Sequence, residues 1–335
     1  MKALSRVVIV AATSWLFALD LRAGSEIVLA IRYLQADGVS HSHLYLYRDD
    51  GKFLRQLTGD NSGQDVDPIF ASDGASIVFT REKHENSLRE VWSVQPLAGN
   101  PVKLDSAPAW YEQTKTSSYF TNRDATPVTE SPAPSASATA AGMIGERKSY
   151  KAPDGSVELI LREDPSDPDD QVNGEKHGKH YVLRYLKTAI QADFGTLPGF
   201  VGVYEILHDR QNPDRQFLFD GLLRVAFFGL HMNSTDGDTS FALDFNGPRF
   251  VRLSLNWAAP IPLPGDAAFL TLTENRYQTI PGTSKTANCS YLERWDAQLQ
   301  KIRYARPNIP AVCYGASIYR PERTPAVIVV RQNAD

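Results

Sequence analysis

Short runs of β-branched and aromatic residues recur along the chain: Ile27 to Ile31, Leu44 to Tyr47, Ile77 to Thr80 and Val157 to Leu161 are separated by Asp-Gly turns. Runs of this length bounded by turn residues predict strands. Helical spacing is nearly absent. The one stretch that fits it runs from Tyr291 to Ile302, where Leu292, Trp295, Leu299 and Ile302 fall three and four residues apart.

Repetition within the chain argues against that helix. Tyr45, Leu46, Arg48 and Asp50 recur in order and spacing as Tyr291, Leu292, Arg294 and Asp296. The first copy carries Asp50-Gly51 between two apolar runs, and glycine supplies the positive φ of a tight hairpin turn. The second copy is therefore expected to be a hairpin too. Another unit also repeats: Asp73-Gly74 and Asp154-Gly155 each place Arg seven and Glu eight residues after the glycine, at Arg81 and Glu82 and at Arg162 and Glu163. Ile27 and Ile77 open equivalent strands 50 residues apart, and Leu57 and Leu104 each follow an aromatic, Tyr45 and Trp92, by twelve. A multi-stranded unit of 40 to 50 residues is the period of a β-propeller blade.

On these residues the chain resembles the TolB-like propeller repeat, in which a proline precedes a Ser-Pro-Asp-Gly turn and a buried strand follows. Pro68, Ser72, Asp73 and Gly74 occupy matching positions, as do Pro153, Asp154 and Gly155. The match covers residues 27–105, extends in part over 152–186 and 258–305, and is weak elsewhere. The resemblance implies a periplasmic location and protein contacts at the cell envelope. The fold expected is all-β, a propeller of six blades, with seven as the alternative, each a four-stranded antiparallel sheet. In each blade the strand after the Asp-Gly turn is buried in the stack and the next faces outward. The last strand, Ala326 to Val330, is expected to pair near Ile27 and close the ring.

The first residues change the picture of the compartment. Lys2 and Arg6 precede an apolar run from Val7 to Leu19, and Ala23 precedes Gly24. This is the pattern of a secretory signal peptide over residues 1–23. A membrane anchor is the competing reading, but the run is about a dozen residues, short of the roughly 20 that cross a bilayer. No later run is long enough, so the mature chain, 24–335, is expected as a single propeller domain without a membrane span, periplasmic or secreted. Within it, residues 124–142 are rich in Pro, Ser, Ala and Thr and read as a low-complexity insertion.

Charge narrows the partners. Loss of residues 1–23 removes Lys2, Arg6 and Arg22 against Asp20 and takes the formal net charge from −4 to −6. Without clustered Lys and Arg, the chain is not expected to bind nucleic acid. Cys289 and Cys313 are the only cysteines, and in an oxidising compartment they are expected to form one disulfide, with two buried thiols as the alternative.

Chemistry-bearing motifs are sparse. His41 and His43 lie two apart and His177 and His180 three apart, without further ligands at a recognisable metal spacing. Asp236 and Asp238, and Asp164, Asp167, Asp169 and Asp170, are oxygen-rich enough to make calcium a candidate, though neither stretch completes a calcium loop. Ser317 lacks the second glycine of a nucleophile elbow. No catalytic, cofactor-binding or metal residue is therefore assigned. The 34 aromatic residues are expected mainly to fill the wedges between blades. The leading expectation is a binding module that holds a protein or polymer partner, such as a polysaccharide, at the cell envelope without covalent chemistry. The alternative is a propeller-fold hydrolase or lyase acting on a sugar or lactone in the central channel.

Overall fold

The computed structural model describes residues 24–36, 40–83, 89–116 and 260–332, together with strands between 119 and 254. These residues form antiparallel sheets, five in number, and a single helix. The proposed signal peptide, the acidic stretch 164–170, Asp236 and Asp238, His177 and the Asp154-Gly155 turn lie outside the described residues. The chain divides into two compact units, one of Met1–Tyr119, Thr279–Lys285 and Tyr304–Arg331, the other of Phe120–Gln278, Thr286–Arg303 and Gln332–Asp335.

The first unit begins with seven strands: β1 (Glu26–Tyr33), β2 (Ser42–Arg48), β3 (Phe53–Gln56), β4 (Gln64–Phe70), β5 (Ile77–Glu82), β6 (Arg89–Val94) and β7 (Val102–Lys103). β1 and β2 pair from Glu26↔Arg48 to Arg32↔Ser42. The Asp50-Gly51 turn then sends the chain back as β3: Gly51 stands at φ 87° and Arg48 N donates to Lys52 O at 2.9 Å. β4 to β7 form a four-stranded sheet in sequence order. Its first turn is built by Asp73-Gly74, where Asp73 Oδ1 accepts from Ala75 N at 2.9 Å and Gly74 stands at φ 68°.

β5 is buried through its first five residues, whereas β6 is half-exposed until Val94. On the wet face Lys103 and Lys83 reach Glu90 Oε1 at 2.8 and 3.1 Å, and these hydrogen bonds hold its carboxyl down to about 2.

Both ends of the first unit share one sheet, in which β3, β2, β1, the Ala311–Tyr319 strand and the Val327–Gln332 strand lie side by side. The expected pairing of the last strand is displaced by one place. Ala311–Tyr319 pairs with β1 (Ile27↔Ile318), and Val327–Gln332 pairs with Ala311–Tyr319 (Ser317↔Val329). The physical reason is local: Ala311–Tyr319 and Val327–Gln332 are consecutive and form their own hairpin, leaving the earlier of the two to face β1. The faces of the two sheets enclose a core of Val28, Ala30, Leu44 and Leu46 against Phe70, Ile77, Phe79 and Val94. Each large apolar side chain so buried contributes about 1.5–3 kcal/mol.

One helix departs from the all-β expectation: α1 (Ala109–Thr116) follows Pro108. Eight residues are too few for a periodic signal to stand out. Its Tyr111 is fully buried against Ile69, Val78 and Val329, and the phenol donates to Asp67 O at 3.0 Å. Burial pushes that hydroxyl well above the usual tyrosine range.

The second unit contains three antiparallel sheets among the described residues. One runs through Ser131–Pro132, Lys148–Lys151, Val157–Glu163, Lys179–Tyr185 and Gln191–Thr196. Another runs through Arg249–Ser254, Thr239–Asp244, Val225–Met232, Val203–His208 and Thr126–Pro127, with Phe217–Asp220 also on Val225–Met232. Two short strands, Thr126–Pro127 and Ser131–Pro132, thus come from the low-complexity stretch.

The last sheet has four strands, Ile261–Pro262, Ala268–Thr279, Thr286–Asp296 and Lys301–Arg303. It resolves the Tyr291 ambiguity in favour of the hairpin: Glu293 pairs with Arg303 and Trp295 with Lys301. Asp296 Oδ1 accepts from Gln298 N and Gln300 N, each at 2.9 Å, and Asp296 N donates to Gln300 O, so this turn falls two residues later than the Asp50-Gly51 turn of the first copy. Glu293, wholly buried, is held by Arg303 Nε at 2.8 Å and by the Thr273 hydroxyl at 2.7 Å.

Candidate functional site

The β4–β5 hairpin carries different chemistry at its two ends. At the open end, Asp65 and Arg81 face each other across the ladder. Asp65 is completely buried and Arg81 only 2% exposed; Nε donates to Oδ1 at 2.6 Å and Nη2 to Oδ2 at 3.1 Å. The guanidinium also reaches Asp60 Oδ2 at 3.0 Å and lies 4.6 Å from the Trp92 ring centroid. Each of the three guanidinium nitrogens thereby donates to a carboxylate, which makes this pair a fastener between strands.

At the turn end the loops leave a cleft of about 310 Å³. Its lining comes from four separate places: Gly24 and Glu26 before and in β1, Asp73 to Ala75 in the β4–β5 turn, Gln95 to Ala98 after β6, and Tyr319 and Pro321 near the chain end. Gly74 is required for its shape. A Cβ there would stand 2.3 Å from Tyr319 Cε1, and that ring packs in turn on Phe70 at 5.7 Å between centroids. The chain therefore passes under the tyrosine at a distance only glycine allows.

The cleft is chemically mixed. Pro96, Leu97, Ala98, Tyr319 and Pro321 supply apolar surface, and Leu97 is 60% exposed. Glu26 and Asp73 supply carboxylates and Gln95 an amide, whereas Lys and Arg do not contribute to the lining. Apolar surface with a few polar groups suits reversible binding of a ligand segment.

Of the described residues that the sequence singles out, Gly24, Asp73 and Gly74 line this cleft, whereas His41, His43, Ser317, Cys289 and Cys313 do not. His41 Nδ1 meets Gln64 Nε2 at 3.3 Å, and His43 Nε2 meets Asn61 Oδ1 at 3.1 Å. Among the described residues no group of three or more His, Cys, Asp or Glu is placed to hold a metal ion. Ser317 is fully buried and its hydroxyl accepts from Phe70 N at 3.2 Å, joining the two sheets of the first unit. Cys289 lies on Thr286–Asp296 and Cys313 on Ala311–Tyr319, both buried. Both are thiols in the structure and are not joined to each other, their Sγ atoms lying 3.8 Å from Ala287 O and 3.6 Å from Gly315 O.

Gln95, Leu97 and Glu26 were not marked by any motif. The usable signal was indirect, since loops joining the strands at one end of a sheet are where binding residues collect.

No protein-family model and no curated protein sequence matches the chain. Among solved structures, one from the crystal structure of a nidogen/laminin complex is similar over 92% of this chain and 98% of that chain, at 7% identity and a TM-score of 0.20. A member of the DUF4221 family from Bacteroides vulgatus is similar over 92% of this chain and 97% of its own, at 10% identity and a TM-score of 0.23. One of two prolyl endopeptidases studied for inter-domain dynamics is similar over 90% of this chain at 8% identity and a TM-score of 0.23; this chain spans 55% of that enzyme's length.

Proposed function

We propose that the chain is an exported, six-bladed, TolB-like propeller that binds a protein or polysaccharide partner at the cell envelope through the cleft at the Asp73-Gly74 turn. The observation that carries this reading is the cleft itself, where Leu97 stands 60% exposed beside Glu26, Asp73 and Gln95. A concave surface of apolar side chains with a few polar groups is the usual form of a binding site. The five antiparallel sheets among the described residues, and the matched turns at Asp50-Gly51 and Asp73-Gly74, support the propeller part.

A photoreactive benzoylphenylalanine in place of Leu97 tests the binding reading in envelope extract. The expected result is one discrete adduct, absent when the label replaces Val102, which is 62% exposed on β7, and lost with Asp73→Lys. Equal labelling from both positions would sink the reading.

Export carries its own expectation. Protein recovered from outside the cytoplasm should begin at Gly24, and a non-reduced digest should contain the Cys289 and Cys313 peptides joined. Closing a loop of this length contributes about 3 kcal/mol. Intact Met1, or two freely alkylating thiols in the unfolded, unreduced protein, counts against the compartment assigned here.

A further inference from the structure

Cleavage after Ala23, on which this step rests, would make Gly24 the first residue and convert its backbone nitrogen into an ammonium group. Gly24 lines the cleft. The chain is fixed directly after it, because Ser25 O accepts from Asp49 N at 3.0 Å. A Cβ on Gly24 would lie 3.7 Å from Arg48 Cγ and 3.8 Å from Asp49 Oδ1, so the first residue lies against the β2–β3 turn.

The charges around this position are uneven. Glu26 comes from β1, Arg48 from the end of β2, Asp49 and Asp50 from the turn, and Asp73 from the β4–β5 turn. These elements thus bring four carboxylates and one guanidinium, and Arg48 is hydrogen-bonded to Asp50. We infer that signal-peptide removal supplies the cleft's own cation: the Gly24 α-ammonium becomes part of the binding surface, beside Asp49 and in the cleft that Glu26 and Asp73 also line. An unprocessed or N-acylated chain then presents a different, more acidic surface to the partner.

The charged form of an amine is favoured by nearby carboxylates. An α-amino group ordinarily titrates at about 7.7–8.0, and in the folded mature chain it should titrate higher. The stabilisation is therefore complete below about 8 and is lost as pH rises through the higher folded value.

The test uses the chain released by a sequence-specific protease so that it begins at Gly24, with the glycine ¹⁵N-labelled and followed by NMR. The expected shift is upward by about half a unit or more relative to the ordinary value, reduced by Asp49→Asn, which leaves the Asp49 N–H bond to Ser25 intact. Acetylation of Gly24 should lower the melting temperature at pH 6 and leave it unchanged at pH 10. An α-amine that titrates in the ordinary range, indifferent to Asp49→Asn, overturns the inference at its electrostatic step. A native first residue other than Gly24 overturns it at the processing step. Neither result alters what crosslinking from position 97 reports about the cleft, so the two readings fail separately.

Discussion

Arg81→Met should lower stability by about 3–5 kcal/mol, measured by urea unfolding, because it strands a carboxylate that is buried from solvent. Asp65 is 0% exposed, and its two oxygens are occupied by Arg81 Nε and Nη2. The nearest other cation-forming group, His43 Nδ1, is 4.0 Å away, beyond hydrogen-bond reach. Asp65→Ala should cost less than Arg81→Met, since the guanidinium keeps Asp60 at 3.0 Å and the Trp92 face at 4.6 Å. The double variant, Asp65→Ala with Arg81→Met, should be no worse than Arg81→Met alone, because the desolvation penalty disappears with the last buried charge. Additive losses, or a single-variant loss below about 1 kcal/mol, would show that the pair behaves as an exposed ion pair.

That pair illustrates what the sequence concealed. Arg81 was visible as a repeated feature, seven residues after an Asp-Gly glycine, and its counterpart Arg162 keeps the spacing. Its partner was not, because Asp65 meets it only through the β4–β5 register, sixteen residues away. Turns were the most legible elements. Asp50-Gly51 and Asp73-Gly74 carry their φ requirement in the glycine itself, and both are positive in the structure. The Tyr291 hairpin was also legible, but only by comparison with Tyr45, since its own spacing fits a helix as well as a strand.

Pairing between distant strands was less so. Either C-terminal apolar run satisfies the pattern needed beside β1, and alternation sets which side chains point inward without choosing the neighbour. The cleft was the least legible feature of all. Its lining is drawn from residues 24–26, 73–75, 95–98 and 319–321, stretches with no shared spacing. Their meeting is a product of the two-sheet packing in the first unit, with β4 set against the Ala311–Tyr319 strand. Position there depends on the whole arrangement and on no local signal.

Gly74→Ala tests whether that arrangement governs the cleft, and it is expected to cost about 2–5 kcal/mol. Two terms add. A left-handed backbone costs a residue with a Cβ about 1–2 kcal/mol, and Gly74 stands at φ 68°. Forcing a methyl group into a filled space costs about 1–3 kcal/mol more, and here the new carbon would lie 2.3, 2.5 and 2.7 Å from three atoms of the Tyr319 ring. Gly282→Ala separates the two terms, since Gly282 has a similar φ of 78° but its Cβ would meet Ala36 Cβ at an ordinary 3.8 Å. It should show the backbone cost alone. Tyr319→Ala in the Gly74→Ala background should recover the steric part, giving a coupling of about 1 kcal/mol or more in a double-mutant cycle. The ring that must move is also part of the cleft wall, so Gly74→Ala should diminish the adduct formed from position 97 even under conditions where the protein remains folded. Equal costs at Gly74 and Gly282, with the adduct unchanged, would mean that the tyrosine yields freely and that the turn does not set the shape of the cleft.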